Sequence, residues 1–250
     1  MNTEPDGSNS APITESVIST EAEQSEDSRN SPRRQAPAFF RWLTYLILIP
    51  LMTLATSFFG CISLICGLWD KSGRQQHFIA RIWARTLLLI SLSPVTLINK
   101  EKLHEHEVAV YASNHLSYFD TPVLFAKLPF QFRILAKHGL WKVPFIGWYL
   151  NRSGQVPVDQ SSGRAADGRP HPFLSGCAYM AIKAQVPLVP ITLIGTYELL
   201  PIHTYHLYPH PLAIIIGDPI PTTGLTTRDA DALTQRLFDT ITATYMQNHR

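Results

Sequence analysis

A histidine and an aspartate lie five positions apart in the segment YASNHLSYFDTPVLF, residues 111 to 125. Histidine has the proton affinity that suits a general base near neutral pH, and a carboxylate partner fixes its tautomer. His115 and Asp120 are therefore candidates for a catalytic base and its partner. In a regular helix, side chains five positions apart are separated by about 140° around the axis. The two can meet only if His115 lies outside the helix.

The flanking residues predict the elements that would bring this pair together. VAVYAS, residues 108 to 113, is typical of a short buried strand, and Pro122 favours the first turn of a helix. His115 would then lie on the turn after the strand, at the edge where open α/β sheets bind ligands. A second interpretation makes Asp120 a simple helix N-cap and Asn114 and His115 turn formers. The spacing alone does not choose between them.

From Pro94 onward, the pattern predicts a globular α/β domain. Clusters of β-branched residues in short runs predict strands, and longer segments with helical periodicity predict helices. The predicted strands are PVTLINK, VAVYASNH, FRILAKH, QVPVD, PLVPITLIGT and LAIIIGDPI, and the predicted helices are TPVLFAKL, PFLSGCAYMAIKAQ and the segment after Thr226. GLWKVPFIGWYLNRSG predicts a helical hairpin broken by Pro144 and Gly147.

The N-terminal part divides into a polar tail and an apolar run. Residues 1 to 38 are rich in Ser, Glu, Asn and Pro without an aromatic residue, which predicts a disordered tail without an export signal. The 28 residues from Trp42 to Trp69 carry no formal charge. A membrane-spanning helix needs roughly 20 apolar residues, so this run is long enough to contact or cross a membrane. Pro50 and Gly60 divide the run, so it could be one tilted helix, a span with an interfacial extension, or a hairpin in one leaflet. A buried helix of a soluble core would instead show a polar stripe.

The charges also favour a membrane surface. Basic residues flank the apolar run on both sides: Arg33, Arg34 and Arg41 before it, and Lys71 and Arg74 after it. This distribution favours both ends near the cytoplasmic face, which suits the hairpin. Beyond residue 38 there are 18 basic against 12 acidic side chains, which suits anionic lipid or a phosphorylated substrate as well as an ordinary solvated surface. Residues 74 to 93 predict either an interfacial amphipathic helix or a helix packed under the following domain.

The three cysteines, Cys61, Cys66 and Cys177, have no metal-binding spacing. They imply no disulfide framework, and a reducing cytoplasmic compartment suits them. We expect no metal, no cofactor and no nucleic-acid partner.

Three blocks together resemble one enzyme family. NHLSYFD, residues 114 to 120, resembles the Asn-His-x4-Asp block of the glycerolipid acyltransferases, typified by 1-acylglycerol-3-phosphate acyltransferases. Residues 134 to 159 resemble the second block of the family, and residues 167 to 196 its end region with a Val-Pro-x-Val-Pro element. The resemblance runs from about residue 51 to about residue 220, and the combined blocks are more specific than any one of them.

The resemblance implies a mixed sheet flanked by helices, with membrane-associated helices over residues 39 to 93 and an acyltransferase domain over residues 94 to 250. It implies that His115, oriented by Asp120, deprotonates the free hydroxyl of a lysophospholipid, which attacks the thioester of acyl-CoA or acyl-carrier protein without an acyl-enzyme. The product would be phosphatidic acid. The implied partners are these substrates and the cytoplasmic face of a membrane, the inner membrane in a bacterium.

One block of the family is absent from this sequence. The family carries Phe-Pro-Glu-Gly-x-Arg, whose arginine helps to bind the phosphate of the acceptor, but only QSSGRAADGRP separates VPVD from HPF here. We therefore expect that one central helix-strand unit is missing. Phosphate binding would then fall to Lys137, Arg164 or Arg169, which are equally consistent with ordinary exposed side chains.

Two further positions depart from the family pattern, which often has glutamate where Gly139 stands and arginine where Gln160 stands. The sequence therefore leaves two functions open. One is an active acyltransferase, and the other is a catalytically impaired or non-enzymatic membrane-associated member of the fold.

Overall fold

The computed structural model describes residues 38–70, 72–103, 108–143, 145–158, 169–170, 173–201 and 206–249. The predicted disordered tail lies outside this part of the chain, apart from Ala38. The helices are α1 (Ala38–Leu43), α2 (Ile49–Cys66), α3 (Arg74–Ile90), α4 (Asp120–Lys127), α5 (Ile146–Arg152), α6 (Gly176–Ala184), α7 (Thr196–Leu199) and α8 (Ala230–Asn248). The strands are β1 (Val95–Ile98), β2 (Val110–Ser113), β3 (Leu135–Lys137), β4 (Val156–Val158), β5 (Leu188–Ile194) and β6 (Leu212–Ile216).

Within the described residues, four strands form a mixed sheet in the order β1-β6-β5-β2. β2 pairs with β5 and β1 with β6 in parallel, whereas β5 and β6 are antiparallel. β3 and β4 form a separate parallel pair. The predicted mixed sheet flanked by helices is confirmed, and each predicted strand is present with shorter bounds.

The sheet is covered on both faces. β5 has the sequence LVPITLI and is buried at every position except Ile194, as expected for a strand between two helical layers. Its odd-numbered apolar side chains pack in one core with α3 and α4, and Leu188 packs in another with α6 and α8. The period of two along the strand divides its side chains between the two layers.

The apolar run does not turn back on itself, so the structure contradicts the hairpin inside residues 42 to 69. A π-helical turn, Thr44–Leu48, joins α1 to α2, and the helix continues through Pro50 and Gly60 to Cys66. Pro50 is the second residue of α2 and closely follows the π-helical turn. Within the described residues, the 26-residue helix Arg41–Cys66 is long and apolar enough to cross a membrane. An 18-residue stretch of it has a mean hydropathy of 2.0, and only 11% of that stretch is buried.

A helical hairpin does form, but between α2 and α3. The indole Nε1 of Trp83 donates to Oγ1 of Thr56 at 3.0 Å, and Nε2 of Gln76 donates to the carbonyl of Ser63 at 3.4 Å. These pairs converge on the turn at residues 67 to 73, so the two helices are antiparallel. α3 also packs in the core below α4, as the second interpretation of this segment predicts.

The segment after β3 differs in part from its prediction. It forms a 3-10 turn, His138–Lys142, and then α5, so two short helical pieces are present. Gly147 does not break the second piece but lies inside it. A Cβ there would collide with the backbone carbonyl of Trp141, so glycine allows the close contact between the two pieces.

Candidate active site

His115 and Asp120 form a pair at the carboxyl end of β2. The Nδ1 atom of His115 lies 2.8 Å from Oδ2 of Asp120. The imidazole is 46% exposed, whereas the carboxylate is only 2% exposed. The structure therefore places the histidine on the turn after a strand, with a buried carboxylate beneath it.

The same carboxylate oxygen also fixes the backbone of the turn. Oδ2 of Asp120 accepts from the N–H groups of Leu116 at 2.7 Å and Ser117 at 2.9 Å. Asp120 is the first residue of α4, and its bonds run back to the turn instead of forward into the helix. The N-cap residue of α4 is Phe119, without a side-chain cap bond, so the interpretation of Asp120 as a simple N-cap is wrong.

This geometry selects one histidine tautomer. A carboxylate oxygen accepts but does not donate, so Nδ1 must carry the proton that joins the two residues. The lone pair of the neutral ring is then on Nε2, on the exposed side. Among the described residues no group bonds to Nε2. The pair can therefore accept a proton from a hydroxyl group that approaches from solvent or from a bound substrate.

Two neighbours of His115 make bonds that the sequence did not reveal. The side-chain amide of Asn114 exchanges two hydrogen bonds with the backbone of Leu193, and the hydroxyl of Ser117 donates to the carbonyl of Leu200. Asn114 was interpreted only as a turn former or as part of the family block. Its partner is 79 positions away, so local pattern carries no signal for the contact.

The structure describes two of the three predicted phosphate-binding residues. Lys137 is exposed at the last position of β3, and Arg169 is exposed between two segments outside the described residues. Lys137 makes no hydrogen bond to His115 or Asp120 in the described part of the chain. Arg164 lies outside the described residues. Their role in binding phosphate stays a prediction.

No group of three His, Cys, Asp or Glu residues that could hold a metal is found among the described residues. The expectation that the reaction uses no metal and no cofactor stays a prediction.

The family model described as Acyltransferase matches residues 94–168, which contain both His115 and Asp120. The 1-acyl-sn-glycerol-3-phosphate acyltransferase LPAT1, chloroplastic, of Arabidopsis thaliana is 31% identical over 186 residues, 61% of this chain and 51% of that protein. The corresponding protein BAT2 of Brassica napus is 29% identical over 183 residues, 61% of this chain and 53% of that protein. Over part of its length, the chain is therefore similar to 1-acyl-sn-glycerol-3-phosphate acyltransferases.

A solved structure has the same fold. The crystal structure of the 1-acyl-sn-glycerophosphate (LPA) acyltransferase PlsC from Thermotoga maritima superposes with a TM-score of 0.68 at 17% identity, over 83% of this chain and 97% of that one. The chain spans about half the length of the two curated plant relatives. The structural match thus shows the fold of this chain.

Proposed function

We propose that this chain transfers a fatty acyl group from an acyl thioester to the free hydroxyl of 1-acylglycerol-3-phosphate, which gives phosphatidic acid. The observation that carries the proposal is the 2.8 Å pair between exposed His115 and buried Asp120. The matching relatives named as 1-acyl-sn-glycerol-3-phosphate acyltransferases support the choice of acceptor.

The pair would act as a general base. Nε2 of His115 accepts the proton of the acceptor hydroxyl while the hydroxyl oxygen forms a bond to the thioester carbonyl carbon. The tetrahedral intermediate then collapses, the carbon–sulfur bond breaks, and the imidazolium returns the proton to the thiolate. Asp120 holds the ring in one tautomer and stabilises its charged form. The transfer is direct, so the remaining rate enhancement comes from holding hydroxyl and thioester together.

Membrane association is part of the proposal. α2 exposes large apolar side chains, among them Leu51, Leu54, Phe58 and Ile65, and α3 exposes Phe78, Ile82 and Leu89. A contiguous exposed apolar surface of this kind marks a membrane or protein contact. Both a lysophospholipid and a long acyl chain partition into a bilayer, so a membrane contact would bring the site to its substrates. We place this surface on the cytoplasmic face, as the flanking positive charges favour.

Lys137 is the proposed contact for the acceptor phosphate. It ends β3, at the carboxyl end of a parallel strand, where α/β sheets bind ligands. Its ammonium group is exposed and has no hydrogen-bond or ion-pair partner among the described residues. Arg169 and Arg164 remain alternative phosphate contacts. For the acyl donor we propose the class of acyl thioesters, which includes acyl-CoA and acyl-carrier protein.

A specific observation favours the second candidate function, an impaired member of the fold. Within the described residues β2 is the edge strand of the four-stranded sheet, and β3 and β4 stand apart as their own pair. A missing helix-strand unit would explain why the β3-β4 pair is separate from the four-stranded sheet. It would also remove the arginine block that the resemblance leads us to expect.

The two candidates differ in one assay. Membranes that contain the 250-residue chain are incubated with lysophosphatidate and with acyl-CoA or acyl-carrier protein thioester, and phosphatidic acid is measured by mass spectrometry. Product above that of membranes without the chain supports the acyltransferase. Membranes that hold the folded chain but form no product with either donor support the impaired member.

A further inference from the structure

The turn that carries His115 is attached to the sheet by a side chain. β2 pairs with β5 in parallel up to Ser113, opposite Ile191, and the backbone then leaves the sheet. The amide of Asn114 takes the next position in the ladder: Nδ2 donates to the carbonyl of Leu193 at 2.9 Å, and Oδ1 accepts from its N–H at 2.8 Å. Both residues are buried, so these bonds satisfy a peptide group that water does not reach.

The other end of the turn is attached to a different segment. The hydroxyl of Ser117 donates to the carbonyl of Leu200 at 2.9 Å and accepts from the N–H of Phe119 at 3.1 Å. A backbone bridge pairs Ser117 with Pro201. Ser117 is fully buried, so its hydroxyl acts inside the protein and does not face a substrate.

An apolar contact lies between these two attachments. Leu116 is 1% exposed and packs with Tyr245 of α8 and with Ile194 and Tyr197. The buried side chains on either side of His115 turn its ring outward. The orientation of the imidazole therefore depends on the three buried neighbours Asn114, Leu116 and Ser117.

Asp120 does not supply this attachment by itself. Its three hydrogen bonds all go to residues 115 to 117, so the His115–Asp120 pair is a local unit that could move as one body. Asn114 and Ser117 instead reach residues 79 and 83 positions away. Asn114 fixes the local unit to the sheet, and Ser117 fixes it to the segment after α7.

We propose that Asn114 and Ser117 are positioning residues for the reaction, which hold Nε2 of His115 at a fixed place relative to the sheet and the bound substrates. This inference rests on the proposed function. Neither residue touches a substrate; each acts through the turn. Because a displacement of about 1 Å at a reacting group can cost a rate factor of about 100, loss of either attachment should lower kcat more than it changes substrate binding.

The test compares Asn114→Ala and Ser117→Ala with Thr222→Val in the full chain. Thr222 is also buried, and its hydroxyl donates to the carbonyl of Val186 at 2.8 Å, so it controls for the loss of one buried hydrogen bond elsewhere. Two quantities are measured: amide hydrogen exchange of the peptide that covers residues 114 to 120, and kcat and KM for both substrates. Ser117→Ala removes a single oxygen, and it carries the test if Asn114→Ala does not fold.

We expect faster exchange of the 114–120 amides in both site variants. We also expect kcat to fall roughly 10- to 100-fold with KM changed less than about twofold. Thr222→Val should leave both quantities near those of the unmodified chain. The inference is overturned if the amides exchange at the normal rate, if kcat is unchanged despite faster exchange, or if Thr222→Val loses as much kcat. If the unmodified chain transfers no acyl group, the proposed function fails by itself, and normal exchange in both site variants would still overturn the attachment.

Discussion

A single oxygen of Asp120 bonds to the ring of His115 and to two backbone N–H groups of the turn that carries it. The Oδ2 atom lies 2.8 Å from Nδ1 of His115, 2.7 Å from the nitrogen of Leu116 and 2.9 Å from that of Ser117. The carboxylate thus sets both the tautomer of the base and the shape of its turn. The two roles can be separated by substitution.

Asp120→Asn tests the first role, because it keeps the size of the side chain and a carbonyl oxygen that can accept from the turn. The amide holds the ring less selectively in the tautomer with a free Nε2 and does not stabilise the charged imidazole. We expect kcat to fall about 10²- to 10⁴-fold. Steady-state kinetics on purified enzyme measures it, and a kcat within about twofold of the unmodified chain would contradict the assigned role.

Lys137→Ala tests the proposed contact with the acceptor phosphate. The ammonium group would attract the phosphate equally in the ground and transition states, so its loss should raise the KM for lysophosphatidate about tenfold and leave kcat nearly unchanged. The KM for the acyl donor should not change. Lys100→Ala, at an exposed position before β2, is the control. An unchanged KM for the acceptor would move the phosphate contact to other residues.

The exposed face of α2 predicts how the chain binds vesicles. Leu54 and Phe58 are 68% and 59% exposed and lie four positions apart on one face. Lysine at the centre of a membrane helix costs about 2.5 to 3.5 kcal/mol per residue, so the double variant Leu54→Lys, Phe58→Lys should float with vesicles much less than the unmodified chain. Gln235→Lys, on the exposed side of α8, should float normally. Equal flotation of all three proteins would refute a membrane role for this face.

His77 predicts how stability depends on pH. Burial, with the nearby Arg81 charge, lowers the pKa of His77 from its usual 6.5 to about 4. The ring packs against Phe125 and Phe132. Since the unfolded chain binds a proton at this residue at higher pH than the folded one, the free energy of unfolding should fall as pH drops from 6.5 to 4, by on the order of 3 kcal/mol.

The variant His77→Phe removes this titration and keeps a ring among the aromatic neighbours. Its melting temperature should therefore fall less between pH 7 and pH 4 than that of the unmodified chain. Thermal unfolding at several pH values compares the two proteins. Parallel losses in both would assign the acid sensitivity to other groups.

Much of the fold could be predicted because it follows from local pattern. β5 is a short run of buried apolar and β-branched residues. The side chains of Thr226 and Asp229 form a capping box at the 3-10 turn Thr227–Asp229, which leads directly into α8. The contact between His115 and Asp120 could also be predicted from sequence, since five positions separate them and Pro122 marks the start of the helix. Local sequence patterns therefore predict contacts between residues that lie close together in the chain.

Other features depend on contacts that no local pattern records. Gly147 was predicted to break a helix because glycine disfavours helices, but contact with the backbone of Trp141 gives it a place inside α5. The sequence favours a hairpin within the apolar run, whereas in the structure α3 is the second helix of the hairpin. The indole of Trp83 in α3 donates a hydrogen bond to Thr56 in α2. The bond of Asn114 to Leu193 spans 79 positions and needs the paired sheet to exist.

The central claim is that His115 removes the proton of the acceptor hydroxyl. Initial rates of phosphatidic acid formation from lysophosphatidate and an acyl thioester are compared for the unmodified chain, His115→Ala and the control His210→Gln, at equal amounts of folded protein. We predict that His115→Ala lowers kcat by about 10²- to 10⁴-fold and that His210→Gln keeps nearly full activity. Phosphatidic acid formation by His115→Ala at the rate of the unmodified chain would contradict the account.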